Sequence, residues 1–245
     1  MLTLAKKARN QTLNFPEIHG VVWDGPKVVA TAHTSAGLKE ASSLKKGGPV
    51  DFIEIRADAL PVPEEGWAAR IGKLPLPVIF TVRSTHEGGV KLIASEERVA
   101  MYRSVLGVAA MIDFELQSLA HLGGIKTEAL ANNTAVILSM HNFRSGSPLS
   151  QLVYRCRRAE RAGASIFKVA MQTNYAHELS ALLGLLDRAR TVPVSAMGMG
   201  VLGRASRPVL GLAGSILNYG YLDEPAAPGQ WPAQELPGAM KLLST

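Results

Sequence analysis

Short runs of apolar and β-branched residues recur along the chain, separated by longer stretches with apolar positions three and four apart. The runs at Val28–Ala32, Asp51–Arg56, Val78–Arg83, Met111–Glu115, Ala135–His141, Ser165–Ala170, Val192–Met197 and Ala213–Tyr219 predict eight strands. The spacing over Ala94–Val108, Leu149–Ala162 and Ala176–Arg190 predicts amphipathic helices between them. Strand and helix alternate with no linker or low-complexity break, so the expected fold class is α/β, a single (β/α)8 TIM barrel over residues 1–245. Before the first unit, Ile18–Trp23 and Asp24-Gly25-Pro26 suggest an N-terminal β-hairpin that would pair with Lys27 onward, an extension covering residues 1–26. After the last, Asp223–Pro232 holds three prolines and predicts a loop ahead of a final short helix.

Alternation within the strands sorts side chains by face. Barrel strands send alternate residues to the packed interior and to the helix layer, and functional groups collect at their carboxyl ends. Phe167, Val169 and Met171 share one parity and suit the helix side, which turns Lys168 inward. By the same rule Ile53 and Ile55 face outward with Glu54 and Arg56 inward. Val78, Phe80 and Val82 face outward with Arg83 inward, and Val136, Leu138 and Met140 outward with Ser139 and His141 inward. Asp113 and Glu115 share one parity on the fourth strand. Seven ionisable residues on five strands thus converge on one interior. Burying charge costs several kcal/mol unless partners are supplied, so the convergence points to an active site rather than a structural ion network.

Composition narrows the class. With 245 residues, 47% hydrophobic and 19% charged, the chain can bury a core without staples. No apolar run reaches membrane-spanning length, and Met1–Asn10 lacks the apolar region of a secretory signal, so the expected location is the cytoplasm, with no membrane partner. The single cysteine, Cys156, fits a reducing compartment, and Asn132-Asn133-Thr134 then reads as an idle glycosylation match. A net charge of +6 raises two classes of partner, anionic small molecules and nucleic acid. The second would draw on Arg155, Arg157, Arg158 and Arg161, spaced along one helix face but without interleaved aromatics, and a solvated surface is favoured. The six histidines are scattered and form no metal-ligand pattern.

The inward groups suggest their own chemistry. A lysine at the mouth of an apolar barrel beside Arg56 and Arg83 would feel desolvation and like charge, both of which favour the neutral amine that attacks carbonyls. His141 on the neighbouring strand suits proton transfer near neutral pH, with Glu87 in the third loop orienting its ring, and the arginines suit a carboxylate. The pattern asks for a carbonyl acid that forms an imine on Lys168 and then loses or moves a proton. Gly198-Met199-Gly200-Val201-Leu202-Gly203 matches a dinucleotide fingerprint, yet only 42 residues follow Gly203. That is too short for a doubly wound nucleotide domain, so no cofactor is expected.

Glu54-Ile55-Arg56, Phe80-Thr81-Val82-Arg83-Ser84-Thr85-His86-Glu87-Gly88-Gly89, Ser139-Met140-His141-Asn142-Phe143, Phe167-Lys168-Val169-Ala170, Met199-Gly200-Val201-Leu202-Gly203-Arg204-Ala205-Ser206-Arg207 and Ala227-Pro228-Gly229-Gln230 together resemble type I 3-dehydroquinate dehydratase. The resemblance implies a lyase of the shikimate pathway that acts without a cofactor or metal on 3-dehydroquinate, with neither nucleic acid nor membrane as partner, and it is compatible with a homodimer. It implies further that Lys168 forms the Schiff base, that His141 removes and returns the proton with Glu87 orienting it, and that Arg207 clamps the substrate carboxylate. Glu54, Arg56, Arg83 and Gln230 would then hold hydroxyls and close a lid. The chain departs from the family pattern at Ala226, where a serine is common, at Asn142 in place of aspartate, and at Thr173 in place of proline. The alternative within imine chemistry is an aldolase-like barrel, against which the His141–Glu87 pairing speaks.

Overall fold

The computed structural model describes residues 23–61, 66–189 and 191–244. Its elements run β1 (Lys27–Ala32), α1 (Ser35–Ala41), β2 (Phe52–Arg56), α2 (Gly66–Ile71), β3 (Val78–Thr81), α3 (Ser95–Arg103), β4 (Met111–Glu115), α4 (Leu119–Ala131), β5 (Ala135–Asn142), α5 (Leu149–Arg161), β6 (Ile166–Gln172), α6 (Ala176–Arg188), β7 (Val194–Met199), α7 (Gly203–Leu212), β8 (Leu217–Tyr221) and α8 (Leu236–Ser244). The strands are all parallel, in the order β7-β6-β5-β4-β3-β2-β1-β8, and curl into a (β/α)8 barrel. Between β7 and β8 hydroxyls take over from a continuous ladder. Ser195 Oγ donates to the Leu217 carbonyl at 2.6 Å, Ser215 Oγ accepts the Ala196 N–H at 2.9 Å, and one backbone bond joins Ile216 N–H to the Val194 carbonyl at 3.0 Å.

Strand alternation divides the apolar residues into two cores. Ile53, Ile55, Val78, Phe80, Val136, Leu138, Phe167 and Val169 pack outward against the helices. Val29, Phe52, Ile79, Met111, Ile137, Ile166 and Leu217 fill the barrel interior. Each strand serves both, so the outward parity of Phe167 and Val169 fixes Lys168 inside.

Several expected boundaries move. The final run was expected at Ala213–Tyr219, but Ala213 still caps α7 and Gly214 takes φ +108°, so β8 begins only at Leu217. β7 spans Val194–Met199 instead of Val192–Met197, and β3 stops at Thr81, ahead of Arg83. The helix expected through Val108 ends at Arg103. Val105 and Val108 continue in three-residue turns, and Val105 stays buried there, which preserves the apolar spacing without the helix. α6 is seen to Arg188, and its expected end at Arg190 lies outside the described residues, as does most of the expected N-terminal hairpin over Ile18–Trp23. The final short helix is α8. Gly198 sits where a Cβ would lie 2.8 Å from Thr173 Oγ1, so the fingerprint-like glycines serve a close turn from β7 into α7.

Candidate active site

All eight residues singled out from the sequence line one narrow cavity of about 60 Å³ at the carboxyl ends of the strands: Glu54, Arg56, Arg83, Glu87, His141, Lys168, Arg207 and Gln230. β6 delivers Lys168 to the interior opposite Ser139 of β5, and the next inward pair places His141 beside Ala170. The lysine and the histidine therefore stand one layer apart on adjacent strands.

Lys168 is 3% exposed. Its Nζ lies 2.9 Å from Asp113 Oδ2 and 3.2 Å from Glu54 Oε1, and 3.8 Å from the ring centre of Tyr219. The expectation that arginines dominate its surroundings is corrected here, because two carboxylates and an aromatic face are its immediate partners. Arg83 and Arg56 are present but bonded elsewhere. Arg83 spans Asp113 at 2.9 Å, Glu115 at 3.3 Å and Ser139 Oγ at 2.6 Å, while Arg56 forms a two-pronged pair with Asp58 at 2.9 and 2.8 Å. Arg98 of α3 closes the far side on Glu115 at 2.6 Å. Glu54, Asp58, Asp113 and Glu115 thus face Arg56, Arg83, Arg98 and Lys168, four acidic groups against four basic ones. Burial opposes charge on Asp113 and Glu54, yet the neighbouring cations win and hold both carboxyls below their ordinary range.

His141 and Glu87 form a second unit. Glu87 Oε2 accepts the His141 backbone N–H at 2.8 Å and lies 3.0 Å from Nδ1, while Oε1 accepts from Gln117 Nε2 at 2.7 Å. Burial, with Arg83 and Lys168 nearby, pushes the His141 imidazole well below its usual value, so the ring is neutral at neutral pH with Nδ1 turned to Glu87. Burial pushes Glu87 up to about 7, helped by Glu115 and Asp113. The ring of Phe143 stacks on His141 at 6.4 Å and 16°. Gly88 makes room for it, since a Cβ there would lie 2.6 Å from Phe143.

Arg207 differs from the other arginines. It is 3% exposed and bonds only backbone carbonyls, Tyr219 at 2.8 Å and Gly229 at 3.0 Å, and burial alone pushes its guanidinium down to about 10. It is a buried cation facing the cavity without a carboxylate opposite among the described residues, a ready receptor for an anionic group. Above it the loop between β8 and α8 forms a cap. Gln230 Oε1 accepts the N–H groups of Ala226 at 2.7 Å and Ala227 at 3.3 Å, and Ala226 borders the cavity.

Asp113 and Tyr219 were missing from the sequence-derived set, although Asp113's inward parity was visible. Asp58 and Arg98 were also missed, since one follows β2 in a turn and the other lies on a helix. The four arginines of α5 are not near the cavity lining, and among the described residues no helix is long and apolar enough to cross a membrane.

Comparison with known proteins places these features in one context. A family model for type I 3-dehydroquinase matches residues 28–245. A curated 3-dehydroquinate dehydratase from Methanothrix thermoacetophila is 32% identical over 229 residues, covering 93% of this chain and 96% of that protein. Among solved structures, a type I 3-dehydroquinate dehydratase from Clostridium difficile, with covalently modified comenic acid, is similar at TM-score 0.80 and 25% identity, covering 93% and 96% of the two chains. The 3-dehydroquinate dehydratase of Geobacillus kaustophilus is similar at TM-score 0.79 and 25% identity, covering 90% and 92%.

Proposed function

The chain belongs to the type I 3-dehydroquinase family, and on that footing we propose that Lys168, His141 and Glu87 carry the reaction while Arg207 seats the substrate. The protein is a lyase of the shikimate pathway that takes 3-dehydroquinate to 3-dehydroshikimate with loss of water. The observation that carries the assignment of roles is the meeting, in one cavity, of an inward lysine held by two carboxylates, a neutral histidine oriented by a carboxylate, and an arginine with no acidic partner.

The substrate carboxylate completes the charge of Arg207. Lys168 attacks the ketone carbon, two of its ammonium protons pass to the ketone oxygen, and that oxygen leaves as water to form an iminium. Its positive charge takes the place of the former ammonium between Asp113 and Glu54, so the four-to-four balance is kept. His141, neutral and with Nε2 unprotonated when Nδ1–H faces Glu87, accepts the proton beside the iminium carbon. The imidazolium then returns that proton to the departing hydroxyl, and a second water hydrolyses the product imine and frees Lys168. One water is lost overall. Glu54, Arg56, Arg83 and Gln230 border the space left for the ring hydroxyls. In the same proposal the enzyme is cytoplasmic, covers residues 1–245 as one domain, needs no nucleic acid, and is compatible with a homodimer.

The test is turnover of 3-dehydroquinate followed by the ultraviolet absorbance of the conjugated product, with borohydride added during turnover. A reduced adduct on the peptide containing Lys168 is expected. An adduct on another lysine, or none while turnover proceeds, would overturn the assignment.

A further inference from the structure

α7 contains Pro208 in its interior. Proline has no N–H, so the carbonyl four residues earlier, that of Arg204, has no helical donor. The structure fills the vacancy from outside the helix: Trp231 Nε1 donates to the Arg204 carbonyl at 2.7 Å, and the Arg204 guanidinium lies 4.4 Å over the same indole ring. Trp231 directly follows Gln230, the last residue of the cap over the cavity.

Two further contacts join the cap to α7. Arg207 Nε donates to the Gly229 carbonyl at 3.0 Å, and Gly203 and Gly229 approach so closely that a Cβ on Gly229 would lie 2.8 Å from Gly203 Cα. At its other end the loop is tied to the turn after β1, the strand paired with β8, by a hydrogen bond from Thr34 Oγ1 to Asp223. The cap is thereby seated on the helix that carries the carboxylate-binding arginine. We propose that Trp231 is a positioning residue that pre-seats the cap on α7 through the carbonyl that Pro208 leaves free, so that Gln230 and Arg207 are in place before substrate arrives. In a chain whose position 226 offers no hydroxyl to substrate, that seating stands in for a contact the ligand would otherwise have to supply.

The inference rests on the proposed roles of Gln230 and Arg207, and its test separates the two. Trp231→Phe deletes the N–H and leaves a smaller aromatic ring that can still lie over Arg204. One hydrogen bond corresponds to roughly a two- to tenfold effect, expected as a rise in KM for 3-dehydroquinate with kcat changed less than twofold. Without substrate, the Ala226 and Ala227 N–H groups, which Gln230 Oε1 holds, should exchange with deuterium faster in the variant. The double variant Trp231→Phe/Pro208→Ala gives the Arg204 carbonyl a donor from the helix itself. If Trp231 positions the cap, thermal stability recovers in the double variant while KM stays raised and exchange at the Ala226 and Ala227 amides stays fast. If the indole merely satisfies a carbonyl, all three return to the parent values and the proposal fails. An unchanged KM in Trp231→Phe, with the parent active, also overturns it. An inactive parent would overturn the assigned function itself, and the hydrogen-exchange comparison would still report on the seating.

Discussion

Asp113 Oδ2 holds Lys168 Nζ at 2.9 Å while Oδ1 of the same carboxylate takes Arg83 at 2.9 Å and Ser139 Oγ at 2.7 Å. One fully buried carboxylate thus couples the reacting amine to the strands on either side of β4, and its position is set from three directions. Asp113→Asn should leave two buried cations short of a partner. We expect a loss of about 3 kcal/mol in stability and a fall of tenfold or more in kcat/KM. Adding Lys168→Met should restore part of the stability and none of the activity, which denaturant unfolding of the four members of the cycle would measure.

Glu87 gives a pH signature of opposite sign to the paired carboxylates. Its folded-state value, about 7, lies above the 4.5 of an ordinary glutamate, so the folded protein binds the extra proton between those limits. Stability contributed by this group therefore falls as pH rises through that window. Glu87→Gln should be nearly neutral at pH 5 and stabilising by about 2 kcal/mol at pH 8, as read by melting at the two values. For Asp113, held below 3.8, the stabilisation is present above the unfolded value and is lost as pH falls beneath it.

In the proposed sequence of steps His141 acts once the iminium exists. His141→Ala should still give a borohydride adduct on Lys168, while turnover drops by roughly 10²-fold or more. Mass spectrometry of the reduced protein beside steady-state rates checks both halves.

Ala226 borders the cavity and its N–H is already taken by Gln230, so a serine hydroxyl there would face the ligand without disturbing the loop. Ala226→Ser should improve kcat/KM for 3-dehydroquinate by roughly two- to tenfold, the scale of one net hydrogen bond. If the contact is equally strong in bound substrate and transition state, the gain appears as a lower KM.

The inward set was legible because a strand has period two. Once Phe167 and Val169 are assigned to the helix side, Lys168 has only one face left, and the same logic placed Glu54 and His141. Glu87 follows no such period and was placed by its fit to His141, and Arg207 was recoverable only from the family's motifs. What stayed hidden are partnerships across long separations. Asp58 lies in a turn and meets Arg56 and Val90, and Arg98 presents an ordinary helix-surface residue type that happens to reach Glu115. The start of β8 was misplaced because Leu212 to Ile216 is apolar enough for a strand, while Gly214 in a left-handed turn ends the preceding helix. Lys168's neighbourhood was misjudged for a related reason, since arginine-rich motifs show which cations are near but not which anions have claimed them.

The order of the ring has a consequence for how the chain reaches its native state during synthesis. β1, the first strand among the described residues, pairs with β8 over five positions from Lys27–Leu217 to Thr31–Tyr221. Until the ribosome has delivered the residues beyond Ser215, one edge of β1 has no partner, Tyr219 is not beneath Lys168, and Arg207 lacks the two carbonyls that hold it. A nascent chain holding seven complete units is therefore an open sheet with two exposed edges, prone to pair with other chains. Closure and assembly of the catalytic centre belong to a single late event, so a stalled or shortened product should aggregate instead of accumulating as a weaker enzyme.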